Sequence, residues 1–361
     1  MSEKTLGFAI VGCGVIGHKH AEEISHIADA RLIAVADILP DRAREIAVQR
    51  NCADFVDYHN MVELPEVDIV TVCTPSGLHA EVAVAAARAG KHVIVEKPID
   101  VNLEKANWMI EECKKAGVKL TVISQHRFDA STVRVKQDIE AGKLGRMILG
   151  EAAVNWFRSQ GYYDSGEWRG TWALDGGGAL MNQSIHTIDL LQYLMGPVEE
   201  IHAYADRLNH ERIEVEDAAV AIVKFQNGGL GTIVGTTAAY PGLTARVEVF
   251  GTRGSAVIDA DMLTHLYHQE VPVEGMKYSV KAENLATTAK AAITGAADPA
   301  ALSSAHRLQF LDMMDAVRNH REPAVTGEEG RKPLEIILAI YTSARTGKRV
   351  TLPLTDEEAL T

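Results

Sequence analysis

The chain has 361 residues, 47% of them hydrophobic, and a formal net charge of −13. The length favours two domains over one, and an acidic chain with no basic stripe excludes nucleic acid and an anionic membrane as expected partners. The four cysteines (Cys13, Cys52, Cys73, Cys113) are far apart and read as core residues in a reducing compartment; with no signal peptide and no run approaching ~20 apolar residues, a cytoplasmic protein is expected.

Residues 7–125 alternate strand and helix patterns, with strands expected at 7–11, 31–36, 67–74, 92–96 and 119–124 and helices at 16–28, 41–50, 79–90 and 102–116. Repeated β-α-β units imply an α/β fold with a doubly wound parallel sheet, whose ligands lie beyond the carboxyl ends of the strands. The first strand runs into Gly12-x-Gly14-x-x-Gly17, the turn that also carries Val15 and Ile16. In a dinucleotide site the first glycine permits the turn, the second admits the pyrophosphate and the third lets helix pack on strand, while the helix N-terminus offers N–H groups to phosphate. The second strand ends at Asp37, twenty residues after Gly17 and followed by Ile38. A carboxylate there accepts hydrogen bonds from the ribose hydroxyls and repels a 2′-phosphate, so NAD rather than NADP is the expected cofactor.

The third long strand stops in Thr74-Pro75-Ser76-Gly77-Leu78-His79. Composition alone equally allows an ordinary β–α loop with a Ser or His cap, but this loop shares the sheet edge of the glycine turn. The next strand ends in Glu96-Lys97-Pro98. A lysine there can hydrogen-bond a substrate hydroxyl or accept its proton, because burial and a nearby positive nicotinamide both lower its pKa. Pro98 sets the turn and is a candidate for a cis bond.

After Gln125-His126-Arg127-Phe128 the pattern changes. A helix is expected over 132–145, then alternating runs at 146–157, 198–208, 216–226, 229–239, 244–251 and 255–268, which read as a large open, mostly antiparallel sheet. Domains 1–125 and 126–361 follow. One helix, 178–195, puts Asn182, His186 and Asp189 on a single face. Alone, His186 reads as well as a core-edge histidine. The aromatic loop Trp156, Phe157, Tyr162, Tyr163, Trp168, Arg169, Trp172 suits sugar rings, a nicotinamide or a phosphate, or simple packing. Arg127 and Tyr240 are further candidates for substrate contact. No metal site is expected: of the close pairs, His18 with His20 and His265 with His268, neither has Cys or carboxylates at ligand spacing, and His18 and His20, on different helix faces, read as surface residues. Residues 283–303 read as a mobile excursion, followed by helices at 305–319 and 332–346, a strand at 349–353 and an acidic tail from Thr355. His306 is as well placed for packing as for a site.

VGCGVIG at 11–17, TPSGLH at 74–79, EKP at 96–98, WRGTW at 168–172 and GGGALMNQSIHTIDLL at 176–191 together resemble the Gfo/Idh/MocA family of oxidoreductases. The resemblance implies a Rossmann domain followed by an α+β domain for substrate binding and oligomerisation, as a homodimer or homotetramer. It implies Lys97 as the catalytic lysine and His186 as the acid/base above the nicotinamide, either being the base. It adds Thr74, Pro75, Ser76, His79, Glu96, Lys97, Gln125, Trp168 and Arg169 to the cofactor contacts, and assigns substrate contacts to Lys97, Arg127, Tyr163, Asn182, His186 and Tyr240. The family commonly has aspartate where this chain has Asn182, which excludes an Asp–His proton relay. Asn182 with YYD, WRGTW and MNQ resembles enzymes acting on UDP-N-acetylglucosaminuronic acid at C3. Inositols, free sugars and glycosides are the rival substrates, and a nucleotide-binding sensor without turnover is the alternative of another class.

Overall fold

The computed structural model describes residues 4–269, 282–286 and 305–355. Most of the 283–303 stretch and all but the first residue of the acidic tail lie outside the described residues. The described residues fall into two compact units: one from Met1–Gln125, Thr171–Gly176 and Ala297–Leu334, the other from His126–Gly170, Gly177–Ala296 and Glu335–Thr361. The first break falls at Gln125/His126, and the segments Thr171–Gly176 and Ala297–Leu334 return to the first unit.

The first unit is built on six parallel strands: β1 (Leu6–Val11), β2 (Ala30–Ala36), β3 (Ala53–Phe55), β4 (Ile69–Val72), β5 (His92–Val95) and β6 (Leu120–Val122), in the order β3-β2-β1-β4-β5-β6. The helices α1 (Val15–Ser25), α2 (Pro40–Arg50), α3 (Tyr58–Val62), α4 (His79–Arg88) and α5 (Leu103–Ala116) connect them. β1 is buried at every position, as its unbroken apolar run requires of a strand covered on both faces. β3 and α3 have no counterpart in the sequence reading; β3 is a three-residue edge strand with no buried position. α5 begins where Asn102 Oδ1 accepts Lys105 N at 2.8 Å and ends at Gly117 with φ +69°. Phe8, Ile10, Ile24, Val35 and Ile46 share one core with Phe310 and Met313, so the late helix Ala305–Arg318 completes the first unit.

The second unit carries eight strands: β7 (Met147–Asn155), β8 (Val198–Asp206), β9 (Ala218–Phe225), β10 (Leu230–Thr236), β11 (Ala245–Gly251), β12 (Gly254–Asp259), β13 (Met262–His268) and β14 (Val350–Thr351), ordered β13-β12-β11-β7-β10-β9-β8-β14. Every pair is antiparallel except β7 with β10. The run expected as one strand over 255–268 is a hairpin, β12–β13, because Ala260 and Asp261 both take positive φ. α6 (Ala130–Glu140) leads into β7, and α7 (Gln160–Tyr163) is a single turn in the aromatic loop. The helix expected at 178–195 is composite: a π-helical turn, Ala179–Ser184, runs into α8 (Ile185–Met195). Leu191 and Met195 of α8 lie against Gly150 of β7, where an added Cβ would come within 2.6 Å of Met195 Cγ. Tyr204, Val220, Ile222 and Leu230 stand exposed on β8, β9 and β10. α9 (Ala305–Arg318) and α10 (Gly327–Thr346) follow, and the division between units falls within α10.

Candidate active site

The three glycines of the first turn differ in what surrounds them. Gly12 has φ +97°, and a Cβ there would lie 2.5 Å from the Cys73 backbone; a Cβ on Gly17 would lie 2.1 Å from Gly12 O. At Gly14 nothing stands within 4 Å. The turn is thus closed at its first and third glycines and open at the second, the cradle that a pyrophosphate fills. α1 starts at Gly14 with no side-chain cap and no acidic residue in its first turn, leaving its N–H groups for an anion. Asp37 Oδ2 accepts Cys13 N at 2.8 Å and Oδ1 accepts Leu39 N at 2.9 Å. These bonds aim the carboxylate and leave lone pairs for ribose hydroxyls. Val15 and Ile38 are 67% and 82% exposed beside it, and Ile16 is half-buried.

Lys97, half-buried, follows β5 and enters a cis bond to Pro98. Two buried side chains hold this turn. His79 places Nδ1 2.8 Å from Pro98 O and Nε2 3.0 Å from Thr74 O, tying the Thr74–His79 loop to it. Both ring nitrogens of His79 thus face backbone carbonyls, a loop-fixing role in place of the expected cofactor contact. Pro75 is half-buried and Ser76 buried in the same loop. A Cβ on Gly77 would lie 2.2 Å from Ala173 O, so the 74–79 loop also seats the Thr171–Gly176 segment. Glu96 is buried; its Oε2 accepts Lys97 N at 3.1 Å and its Oε1 lies 2.9 Å from His20 Nε2 and 3.8 Å from His306 Nε2. Burial alone would raise the Glu96 carboxyl, but the two histidines hold it well below the usual carboxylate range. His20, expected at the surface, is therefore fully buried, with Cys73 Sγ 3.2 Å from its Nδ1. Glu96, 76 residues distant in the chain, is what makes that burial tolerable.

In the second unit, Asn182 and His186 are the only half-buried residues between 179 and 192; every other position there is buried. Of the three residues expected on one face, these two are the ones left partly accessible across the π turn. That turn is anchored by Glu216, whose carboxylate accepts Gly178 N at 3.0 Å, Leu180 N at 2.8 Å and the Tyr341 hydroxyl at 2.9 Å. Burial pushes the Glu216 carboxyl up to about 7 against the pull of these donors. Asp189 does not share the accessible face: it is buried and takes Arg127 Nε at 2.8 Å and Nη2 at 2.6 Å. Arg127, expected to meet substrate, is buried in this bidentate pair with its guanidinium 4.5 Å from the Tyr193 ring. Gln125 is buried in the same 3₁₀ turn that presents Arg127.

The aromatic loop separates into two kinds of residue. Tyr163, expected at the substrate, is buried, its hydroxyl 2.9 Å from Thr237 Oγ1 and its ring edge-on to His210, so it packs the unit. Tyr162 instead meets two cations. Arg169 sits 4.4 Å from the Tyr162 ring and 4.5 Å from Trp168; Arg158 sits 5.4 Å from Tyr162 and 5.0 Å from Trp156. Gln183 ties the stack to the π turn, accepting from Arg158 Nη2 at 3.0 Å and donating to the Tyr162 hydroxyl at 2.9 Å. Among the described residues neither arginine has a carboxylate partner. Arg158 escapes sequence reading because a lone arginine after β7 carries no spacing signal. Tyr240 is 82% exposed, edge-on to Phe157.

Residues 6–124 match the model of an oxidoreductase family with an NAD-binding Rossmann fold, and residues 132–257 match that of the GFO/IDH/MocA C-terminal domain. The chain belongs to the Gfo/Idh/MocA family. The WlbA dehydrogenase of Bordetella pertussis, solved in complex with NADH and UDP-GlcNAcA, is 33% identical, with a TM-score of 0.84 over 98% of this chain and 100% of that one. Myo-inositol 2-dehydrogenase of Thermotoga maritima is 34% identical over 69% of this chain and 74% of its own length. The NAD-dependent scyllo-inositol 2-dehydrogenase of Bacillus subtilis is 27% identical over 95% of each chain. The protein is thus a Gfo/Idh/MocA oxidoreductase with an NAD-binding Rossmann domain, and the residues around Gly14 and Asp37 fit that cofactor. All four thiols are free; burial raises Cys13 and Cys113 to about 12 and Cys52 to about 11, so they are poor nucleophiles at neutral pH. Among the described residues no helix is long and apolar enough to cross a membrane.

Proposed function

We propose that the protein is an NAD-dependent dehydrogenase that oxidises the C3 hydroxyl of an anionic pyranose, with UDP-N-acetylglucosaminuronic acid as the first substrate to test. The observation that carries this reading is the Arg158–Tyr162–Arg169 stack. In a chain of net charge −13, two guanidinium groups held on aromatic rings, with no carboxylate partner among the described residues, suit a diphosphate or carboxylate. The 33% identity to the WlbA dehydrogenase, across nearly the full length of both chains, supports the same substrate class.

NAD bound at the glycine turn supplies the hydride acceptor. Lys97 stabilises the developing alkoxide as a cation, and His186 takes the hydroxyl proton, its reference pKa of ~6.5 lying near neutrality. Asn182 orients a hydroxyl through its amide. A second copy of the chain covers the outer face of the eight-stranded sheet at Tyr204, Val220, Ile222 and Leu230, giving a homo-oligomer. Free, mostly buried thiols suit a reducing cytoplasm.

The test is reduction of NAD, followed at 340 nm, with UDP-N-acetylglucosaminuronic acid, UDP-N-acetylglucosamine, myo-inositol and methyl glucoside. Turnover of the first, with KM for it raised roughly ten- to hundred-fold in Arg158→Ala, supports the reading. Preference for myo-inositol, unchanged in that variant, would instead assign the cyclitol activity named for the Thermotoga relative.

A further inference from the structure

The residue ahead of Arg127 has no part in the scheme so far. The His126 ring meets the His186 ring edge to face, centroids 5.1 Å apart. His126 Nδ1 lies 2.8 Å from Asp129 Oδ2 and 3.2 Å from Asp261 Oδ1. Asp129 stands at the N-cap of α6, yet its side chain makes no capping bond and turns to His126. Asp261 sits at the tip of the β12–β13 hairpin, its side chain 52% exposed.

That hairpin is built at a cost. Its loop has two residues, Ala260 and Asp261, at φ +49° and +63°. Such loops favour Asn-Gly, and a left-handed alanine is strained because its Cβ crowds the backbone. Strain retained where a carboxylate is delivered to a histidine points to a role for that carboxylate. The groups facing His126 are Asp129 from α6, Asp261 from the hairpin, and Asp189 and His186 from α8, with the Arg127 charge taken up by Asp189. Burial disfavours the charged ring, but Asp129, Asp261 and Asp189 outweigh it and hold the His126 pKa above its ordinary value. Asp261 is itself raised, by desolvation first and then by the Asp129 charge, with His126 pulling the other way.

We propose that His126 is a positioning residue acting through His186, and that the pair passes the substrate's hydroxyl proton to solvent at Asp261. The proposal rests on His186 being the base. As the substrate's hydride leaves for NAD, its O–H proton moves to His186. An N–H bond of that imidazolium then breaks as one forms on His126, directly or through one water. The Nδ1–H of His126 breaks as an O–H forms on the carboxylate pair around it, Asp129 at 2.8 Å and Asp261 at 3.2 Å, and the exposed Asp261 releases the proton to bulk water. The relay runs from the neutral form of His126; each ring ends neutral in its other tautomer and is reset by proton exchange with water, and one proton reaches solvent per hydride transferred. Asn182 cannot relay this proton, so the route through His126 takes the place of a carboxylate there.

The test compares His126→Gln, Asp261→Asn and His186→Asn with the parent enzyme, using NAD and UDP-N-acetylglucosaminuronic acid, or myo-inositol if only that is turned over. In His126→Gln, kcat should fall roughly ten- to hundred-fold with KM within twofold, the solvent isotope effect should rise, and added imidazole should restore much of the rate. Asp261→Asn, altered at an exposed hairpin tip and expected to fold, should show a smaller loss in the same direction. Parental kcat and isotope effect in both variants, or a loss that imidazole leaves untouched, overturns the relay. Parental turnover in His186→Asn means that the base assignment has failed. The pairing is then read by NMR titration of the histidine rings: a His186 titration that moves on replacing His126 keeps the pair, and one that does not move overturns it.

Discussion

Replacing Asp189 tests whether Arg127 is structural or a substrate contact. The pair is bidentate, at 2.8 and 2.6 Å, with both side chains almost fully buried. Removing one partner of such a pair leaves an uncompensated charge in a low-dielectric site, at a cost of about 3–5 kcal/mol. Arg127 retains the Tyr193 ring, a cation–π contact worth about 0.5–2 kcal/mol and too small to compensate. For a unit of this size, about 2–4 °C of Tm accompanies each kcal/mol, so Asp189→Leu should melt roughly 6–20 °C lower. Arg127→Met/Asp189→Leu, which removes both charges at similar volume, should recover most of that loss. The assay is thermal unfolding by circular dichroism on the three variants, with KM for sugar measured on Arg127→Met. A Tm for Asp189→Leu within about 2 °C of the parent would refute the argument. So would an Arg127→Met variant of unchanged Tm and greatly raised KM, which would return Arg127 to the substrate.

Asp37→Ser removes a charged acceptor for ribose hydroxyls, so KM for NAD should rise roughly ten- to hundred-fold while NADP becomes usable, read from initial rates with each cofactor. Gly14→Ala should fold normally and lose NAD affinity by calorimetric titration, because its Cβ enters only the open cradle; Gly12→Ala, whose Cβ would lie 2.5 Å from backbone, should lose stability as well. The Glu216 carboxyl, raised to about 7 in the fold, binds its proton more tightly there than in the unfolded chain. Its contribution is fully present below the unfolded pKa of ~4.3 and is lost as pH rises through 7, at most on the order of 3 kcal/mol. In Glu216→Gln, denaturant unfolding should lose this group's share of the decline between about pH 4.5 and 7, and a curve identical to the parent's would sink the assignment.

What could be read before folding follows from where each signal resides. The glycine turn, Asp37 and the strand ends are local: a tight turn needs glycine, and a buried parallel strand needs an unbroken apolar run, so seven to twenty residues of sequence contain the reason for the structure. Asn182 and His186, four residues apart, both stay half-buried across a π turn that no periodicity announces. His20, Arg127 and Tyr163 fail together for the opposite reason. Each is a polar side chain whose burial is permitted by a partner far along the chain: Glu96 for His20, Asp189 for Arg127 and Thr237 for Tyr163. Composition assigns such residues to the surface or to a ligand, because unpaired burial costs too much, and only the fold supplies the pairing. The β12–β13 hairpin was hidden in the same way, since Ala-Asp is a poor left-handed pair and reads as continuous strand. The strain that concealed it is the feature that brings Asp261 to His126, so the least legible turn of this chain is also the one whose side chain has most to explain.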